Sequence, residues 1–269
     1  VTAIYATKRL YVLSFFFRLG IRGTGYMAKL TVGSLFAGIG GFDLGFERAG
    51  FEIRWQVEID PFCRAVLAKH WPDVRRYEDV RTVHRAPCFD DFCGGCVESV
   101  DVLVGGFPCQ DVSHAGARVG IAGERSGLWR EFGRLAGELR PRYVVVENVT
   151  GLTDRGIDVV LGDLAALGFD AEWSVLSACA VGAPHTRERV FIVAYPASER
   201  PGQLWRIERP TNRTAERHLH WTESEPPRER VVNGIPDRLD RLKSLGNAIV
   251  PQEAEWIARR ILEAEGLTA

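Results

Sequence analysis

A doubly wound α/β fold is the architecture this sequence predicts, and three observations carry it. Short β-branched runs alternate with amphipathic segments from residue 30 onward, as in a parallel sheet covered by helices. Val100, Val102 and Val104, like Val144 to Val146, form short apolar runs that suit strands buried on both faces. The first strand enters a glycine-rich stretch ahead of a helix, and in such folds ligands gather at the carboxyl ends of the strands.

Taken in order, the predicted strands are 30–36, 51–58, 100–104, 143–147, 171–179 and 190–195. Helices are expected at 41–49, 61–70, 127–139 and 156–167, with Asp60 as N-cap and Pro61 in the first turn of the second. A last amphipathic segment, 252–263, carries Ala254, Ile257, Ala258, Ile261 and Leu262 on one side and reads as a helix returning to the sheet. Between 196 and 243 the texture is polar and proline-rich, with ten Lys and Arg against eight Asp and Glu in 197–243. Residues 1–26 hold Lys8, Arg9 and an apolar stretch cut off by Arg18, with no A-x-A-like site after it. The only Met is Met27, three residues before the first strand, so this extension is expected to pack poorly or to lie outside the native protein. The organisation is then an extension (1–26), a catalytic unit (27–195), a short recognition region (196–243) and a closing segment (244–269).

Composition narrows the class. The chain has 269 residues, 46% hydrophobic and 26% charged, without an apolar run near the ~18 residues needed to span a bilayer. A soluble globular protein without a membrane role is expected. Net charge is −1, so any polyanion must be met by a local patch. Of 34 basic residues only Lys8, Lys29, Lys69 and Lys243 are lysines; the Arg excess suits bidentate phosphate and base recognition, and a GC-rich gene produces the same skew. Six unevenly spaced Cys do not make a secreted disulfide framework and point to a reducing compartment, the cytoplasm.

The chemistry-bearing residues fall at predicted strand ends. Phe36, Gly38, Gly40 and Gly41 form a strand-to-helix turn that lets backbone approach a nucleotide-like ligand. Glu58 follows Gly40 by 18 residues, a spacing that places an acid at ribose hydroxyls. Gly105-Gly106-Phe107-Pro108-Cys109-Gln110 follows a buried strand, so its thiol is presented on a loop and is a candidate nucleophile. Glu147-Asn148-Val149 reaches the same edge, where a carboxyl suits protonation of a substrate heteroatom.

Together with Arg187-Glu188-Arg189-Val190-Phe191 and Leu245-Gly246-Asn247-Ala248-Ile249-Val250-Pro251, these blocks match in order the signatures of DNA (cytosine-5) methyltransferases. The chain resembles the small bacterial or phage members. The resemblance implies a Rossmann-like class I fold dependent on S-adenosylmethionine, with a small irregular recognition region, that methylates C5 of a flipped-out cytosine in double-stranded DNA. It implies Cys109 as nucleophile, Glu147 at N3, and Arg187 and Arg189 at the base. For the cofactor it implies Phe36 on adenine, Gly38 and Gly40 near the methionine part, Glu58 on the ribose, Asp79 and its neighbour Val80 at the adenine amino end, and Leu128 and Asn247 completing the pocket. Gln110 and Ser113 match positions that meet DNA. A monomer, with or without a cognate restriction endonuclease, is expected.

Two departures stand out. His185 occupies the place where the family usually has Gln, and only 49 residues separate Tyr195 from Leu245, where larger members hold a full recognition domain. Readout must then rest on a short segment such as Arg200, Arg206, Arg209, Arg213 and Arg217 with Trp205 or Trp221. The alternatives are a tRNA cytosine-5 methyltransferase, which shares these motifs, a non-catalytic DNA-binding relative, and, from the glycine turn and Glu58 alone, a nicotinamide-dependent dehydrogenase. His84, Cys88, Cys93 and Cys96 are residue types zinc accepts, but the spacing fits no zinc pattern and no metal is assigned.

Overall fold

The computed structural model describes residues 29–85, 94–108, 127–198 and 238–267. The extension 1–26, Cys88, Cys93, Cys109, Gln110, Ser113 and the arginines of 200–217 lie outside them.

In chain order the elements are β1 (Thr31–Leu35), α1 (Gly41–Ala49), β2 (Glu52–Val57), α2 (Pro61–His70), β3 (Arg75–Tyr77), β4 (His84–Arg85), β5 (Cys96–Val97), β6 (Val102–Gly105), α3 (Gly127–Leu139), β7 (Tyr143–Val149), α4 (Leu152–Arg155), α5 (Ile157–Ala166), β8 (Phe169–Ser177), β9 (Glu188–Pro196), α6 (Arg238–Asn247) and α7 (Pro251–Ala264). Seven strands form one Rossmann-like sheet in the order β3-β2-β1-β6-β7-β9-β8, and β4 pairs with β5 separately. The strands from β3 to β7 are parallel, whereas β9 runs antiparallel to both β7 and β8. The parallel sheet expected from the alternation thus forms with one strand reversed, β9, which lies between β7 and the edge strand β8. An apolar run buried on both faces carries no sign of its direction, and the link from β8 to β9 contains a 3₁₀ turn, Ala178–Val181, where the strand 171–179 was expected to continue.

Alternate side chains feed two cores. On one face Leu35, Val57, Leu103, Val144, Val146 and Ile192 meet Phe132, Leu135 and Leu139 of α3 and Val160 and Leu164 of α5. On the other, Val32, Val102, Val104, Val145, Phe191 and Val193 meet Phe42 and Phe46 of α1 and Ala254, Ile257, Ala258 and Ile261 of α7. Helix boundaries follow local chemistry. The Asp60 carboxylate accepts from the amides of Phe62 (2.9 Å) and Cys63 (3.3 Å) and Pro61 opens α2, so the predicted cap forms. α1 and α7 pack closely because a glycine lies at the crossing: a Cβ on Gly45 would stand 2.5 Å from the Pro251 carbonyl oxygen and the Ala254 methyl.

Short elements escaped the pattern. β3, β4 and β5 have two or three residues each, too few to show a period. Their placement is tertiary: the Tyr77 hydroxyl donates to the Cys96 carbonyl. Cys96 is disulfide-bonded and its Sγ lies 3.5 Å from His84 Nε2, which removes one thiolate from the zinc set. Among the described residues no cluster of His, Cys, Asp and Glu could hold a metal ion, and no helix is long and apolar enough to cross a membrane.

Below the glycine turn sits a buried polar group. Asp43, fully enclosed, accepts from Gln56 Nε2 (2.9 Å) and Ser34 Oγ (3.3 Å). Burial raises its carboxyl to about 6, against the smaller opposing pull of those hydrogen bonds. A folded-state value above the unfolded one means the stabilisation is present in acid and is lost as the pH rises through about 6. Asp43→Asn, kept neutral, is expected to flatten the decline in stability between about pH 4 and 6, by on the order of 2 kcal/mol, in urea titrations across that range.

Candidate functional site

The carboxyl ends of β1, β2, β6 and β7 and the amino end of the reversed β9 surround a cavity of about 800 Å³. One half is built around Glu58. Its Oε2 accepts from the Gly38 amide and its Oε1 from the Asp60 amide, both at 2.7 Å, so backbone from two loops fixes the carboxylate while each oxygen keeps a lone pair. The turn that supplies Gly38 is strained. Phe36 has φ 53 and Gly38 φ 56, and the Ala37 amide holds the bend by donating to Val57 O at 3.0 Å. A Cβ on Gly38 would meet nothing within 4 Å, leaving open space beside the bend.

Across from Glu58, Asp79 caps the 3₁₀ turn Val80–Thr82 and is gripped by the Arg81 guanidinium at 2.6 to 3.0 Å. Those hydrogen bonds hold its carboxyl below the usual range, so it stays an acceptor. Phe36, Val80 and Leu128 supply apolar walls.

The other half centres on Glu147. Its carboxyl is nearly buried and meets Arg189 Nε at 3.0 Å from Oε1. Burial pushes the acid up to about 7, with Arg189 and Arg187 opposing, so the group is poised between neutral and charged at physiological pH. Gly106 leaves room for it: a Cβ there would stand 2.6 Å from Glu147 Oε2. The neighbouring Asn148 is buried and donates through Nδ2 to Phe107 O at 3.1 Å, while its Oδ1 accepts from the Val149 amide. That staple joins the end of β7 to the loop after β6. Pro108, last described residue of the loop and chain neighbour of Cys109, lines the same cavity as Glu147.

Of the predicted residues, Phe36, Gly38, Glu58, Asp79, Val80, Leu128, Glu147, Arg187, Arg189 and Asn247 all line this one cavity. Gly40 does not. It caps α1 at φ 89 and backs onto Trp71, whose ring would lie 2.4 Å from an added Cβ, so its task is the turn and its packing. Ile59, Cys63 and Ser244 also line the cavity and were not anticipated. Ile59, a large apolar residue next to Glu58, is 65% exposed beside the cavity, an exposure that the sequence does not announce. Cys63 and Ser244, 3.4 Å apart, meet only because α6 docks on α2, and no local signal announces them.

A family model described as C-5 cytosine-specific DNA methylase matches residues 30–238. The chain belongs to that family. Among its relatives, the Type II methyltransferase M.AquIA of a Picosynechococcus species is 32% identical over 192 residues, 66% of this chain and 75% of the relative. M2.BsuMI of Bacillus subtilis, also a Type II methyltransferase, is 34% identical over 61% of this chain. The chain spans only 42% of that relative and 39% of M.Eco47II of Escherichia coli. A prophage-encoded E. coli chain described as a DNA modification methyltransferase superposes with TM-score 0.52 and 30% identity, covering 63% of this chain and 47% of that one. The Entamoeba histolytica methyltransferase EhMeth shares the fold at TM-score 0.60 and 12% identity, over 90% of this chain and all of the other.

Asn148→Ala leaves the Phe107 carbonyl buried without its donor. It is expected to cost about 1–3 kcal/mol in denaturant unfolding and to speed hydrogen exchange at the Gly106 and Phe107 amides.

Proposed function

We propose that this methylase transfers a methyl group from S-adenosylmethionine to C5 of a cytosine flipped out of double-stranded DNA, through a covalent bond between Cys109 and C6. The observation that carries the reading is Glu147: a buried acid, half-protonated near pH 7 and paired with Arg189, sharing one cavity with Glu58 and with the loop that leads into Cys109.

The donor set suits the cofactor. Glu58 offers fixed acceptors for two vicinal hydroxyls, Asp79 an acceptor for an amino group, and Phe36, Ile59, Val80 and Leu128 apolar surface for a purine. Asn247 and the end of α6 close the far side. When bound there, S-adenosylmethionine supplies an electrophilic sulfonium methyl group.

Cytosine C5 is a poor nucleophile, and the residues of this chain change that. The Cys109 thiolate gives an electron pair to C6 and forms the S–C6 bond, and the C5–C6 π electrons move toward C5. Glu147, as the neutral acid, donates to N3 and offsets the density that addition places on the ring. Arg189 of the adjacent β9 and Arg187 just ahead of that strand hold the base and offset part of the charge at O2. After C5 has gained the methyl, its proton passes to water in the cavity, the C5–H pair restores the C5–C6 double bond and the S–C6 pair returns to sulfur as the thiolate. Unstacking the base costs a few kcal/mol, which the DNA contacts must supply. Those contacts fall to Gln110, Ser113 and the polar interval 196–243, with the protein acting as a monomer on DNA in the cytoplasm.

Methyl incorporation from labelled cofactor, with DNA and tRNA assayed side by side, tests the reading. Wild type is expected to yield 5-methylcytosine in DNA, and Cys109→Ser to lower incorporation by at least about a thousand-fold and to abolish trapping on 5-fluorocytosine DNA. Label appearing only in tRNA, or incorporation unchanged in the variant, overturns it. Gly106→Ala presses on the tip of a side chain that can swing, so unfolding free energy is expected to move by less than about 1 kcal/mol while kcat falls at least about ten-fold, as Glu147 is displaced from Arg189.

A further inference from the structure

The described residues on either side of the interval 109–126 meet in a ring contact. Phe107 leaves β6 two residues before Cys109, and Trp129 stands in the first turn of α3, just after the interval ends. Their ring centroids lie 5.4 Å apart, tilted by 49°, and Trp129 meets Phe132 in turn at 5.5 Å. Phe107 and Trp129 are both buried.

Packing alone does not call for a tryptophan here. A phenylalanine or leucine fills an apolar core without bringing an N–H that needs an acceptor. The indole brings one, and Trp129 Nε1 donates to Asp163 Oδ2 of α5 at 2.8 Å. Asp163 itself is exposed. The bond ties α3 to α5 and fixes which way the ring plane turns, because the flipped ring carries its N–H away from the only acceptor it uses.

Phe107 is held from several directions. Its ring lies against Trp129, and its carbonyl accepts from Asn148 Nδ2 of β7 at 3.1 Å. The glycines ahead of it let the chain press on both neighbours: a Cβ on Gly105 would stand 2.9 Å from Phe132 Cε2, and one on Gly106 2.6 Å from Glu147 Oε2. Next comes Pro108, whose ring locks its own φ and steers Phe107 away from helical backbone. Few soft torsions are left between the held ring and Cys109.

We propose that Trp129, anchored by Asp163, is a positioning residue for methyl transfer: it fixes Phe107 and so sets the direction in which the chain enters Cys109. This deepens, and rests on, the reading of Cys109 and Glu147 given above. A nucleophile misplaced by about 1 Å can lose on the order of a hundred-fold in rate without any loss of ground-state binding. Leu128 lines the cavity from the same turn, but its place is set by the backbone of α3, so the cofactor half keeps its wall when the indole loses its anchor.

Because Asp163 is exposed, the anchor can be tested without opening the core. Asp163→Ala removes the acceptor, and Asp163→Asn keeps one in its amide oxygen. With the full chain at saturating cofactor and 5-fluorocytosine DNA, Asp163→Ala is expected to slow covalent adduct formation at least about five-fold, while the Kd of S-adenosylhomocysteine stays within about two-fold of wild type. Asp163→Asn is expected to bring the rate back to within about two-fold. Trp129→Phe keeps a ring, has no N–H and is expected to behave as Asp163→Ala does; if it does not fold, the Asp163 pair decides alone. An unchanged rate in Asp163→Ala or Trp129→Phe, a rate that falls only in proportion to cofactor affinity, or no recovery with asparagine overturns the inference. A wild type that forms no adduct and no 5-methylcytosine sinks the functional reading instead. Hydrogen exchange then still reads the anchor: Asp163→Ala is expected to speed exchange at the Gly106 and Phe107 amides and not in β1, and Asp163→Asn to reverse this, whereas equal exchange in all three proteins overturns the inference as well.

Discussion

The reversal of β9 against β7 is the constraint on which the site depends. In a parallel sheet only carboxyl ends reach the ligand edge. One antiparallel strand delivers an amino end there as well, and with it Arg189, in register with Val149 and two residues from the partner of Glu147. A carboxyl and a guanidinium on adjacent strands then meet with neither on a long free arm. Enclosure alone would keep Glu147 neutral over most of the accessible range, and the arginines bring it back to about 7. The acid strength of the site is thus a balance struck by strand direction.

The opposite half of the cavity is organised by backbone. Glu58 is oriented by two amides, one from the strained turn after β1 and one from the start of the α2 cap. The Asp60 side chain meanwhile caps α2 and its own amide serves Glu58, so a single residue couples helix start and carboxylate orientation. Strain at Phe36 and Gly38 is offset by the packing of β1 and β2 below, where Gly33 leaves space for the Trp55 ring. Rigid strands beneath a strained bend give a site whose acceptors are set before any ligand arrives.

Helices 41–49, 61–70 and 127–139 were legible to the residue because each carries its own signal: a glycine at each end of the first, Asp60-Pro61 at the second, an apolar stripe along the third. Much of the cavity was legible too, since Glu58 and Glu147 stand at strand ends that the pattern places on one edge, whereas Asp79 follows the unpredicted β3 and was named only through the family resemblance. What stayed hidden is tertiary. Strand direction leaves no trace in a doubly buried apolar run, so the reversal of β9 was missed. Glu253 lies in an amphipathic helix among Glu255, Arg259 and Arg260, where a charge ordinarily means solvent, and only the packing of α7 under β7 buries it. Gly40 was read as a ligand contact because a glycine in a turn looks alike whether it faces a ligand or the ring of Trp71.

The docking of α6 bears on how these proteins diversify. Lys243 bonds to Asp60 at 3.0 Å and Ser244 meets Cys63, so the helix that ends the polar interval is moored to the same α2 start that steadies Glu58. Whatever evolution or an engineer inserts between Tyr195 and this helix can vary in length and composition, provided the downstream splice falls ahead of Lys243. A graft that carried foreign sequence past that lysine would break its bond to Asp60 and so disturb the Glu58 half of the cavity.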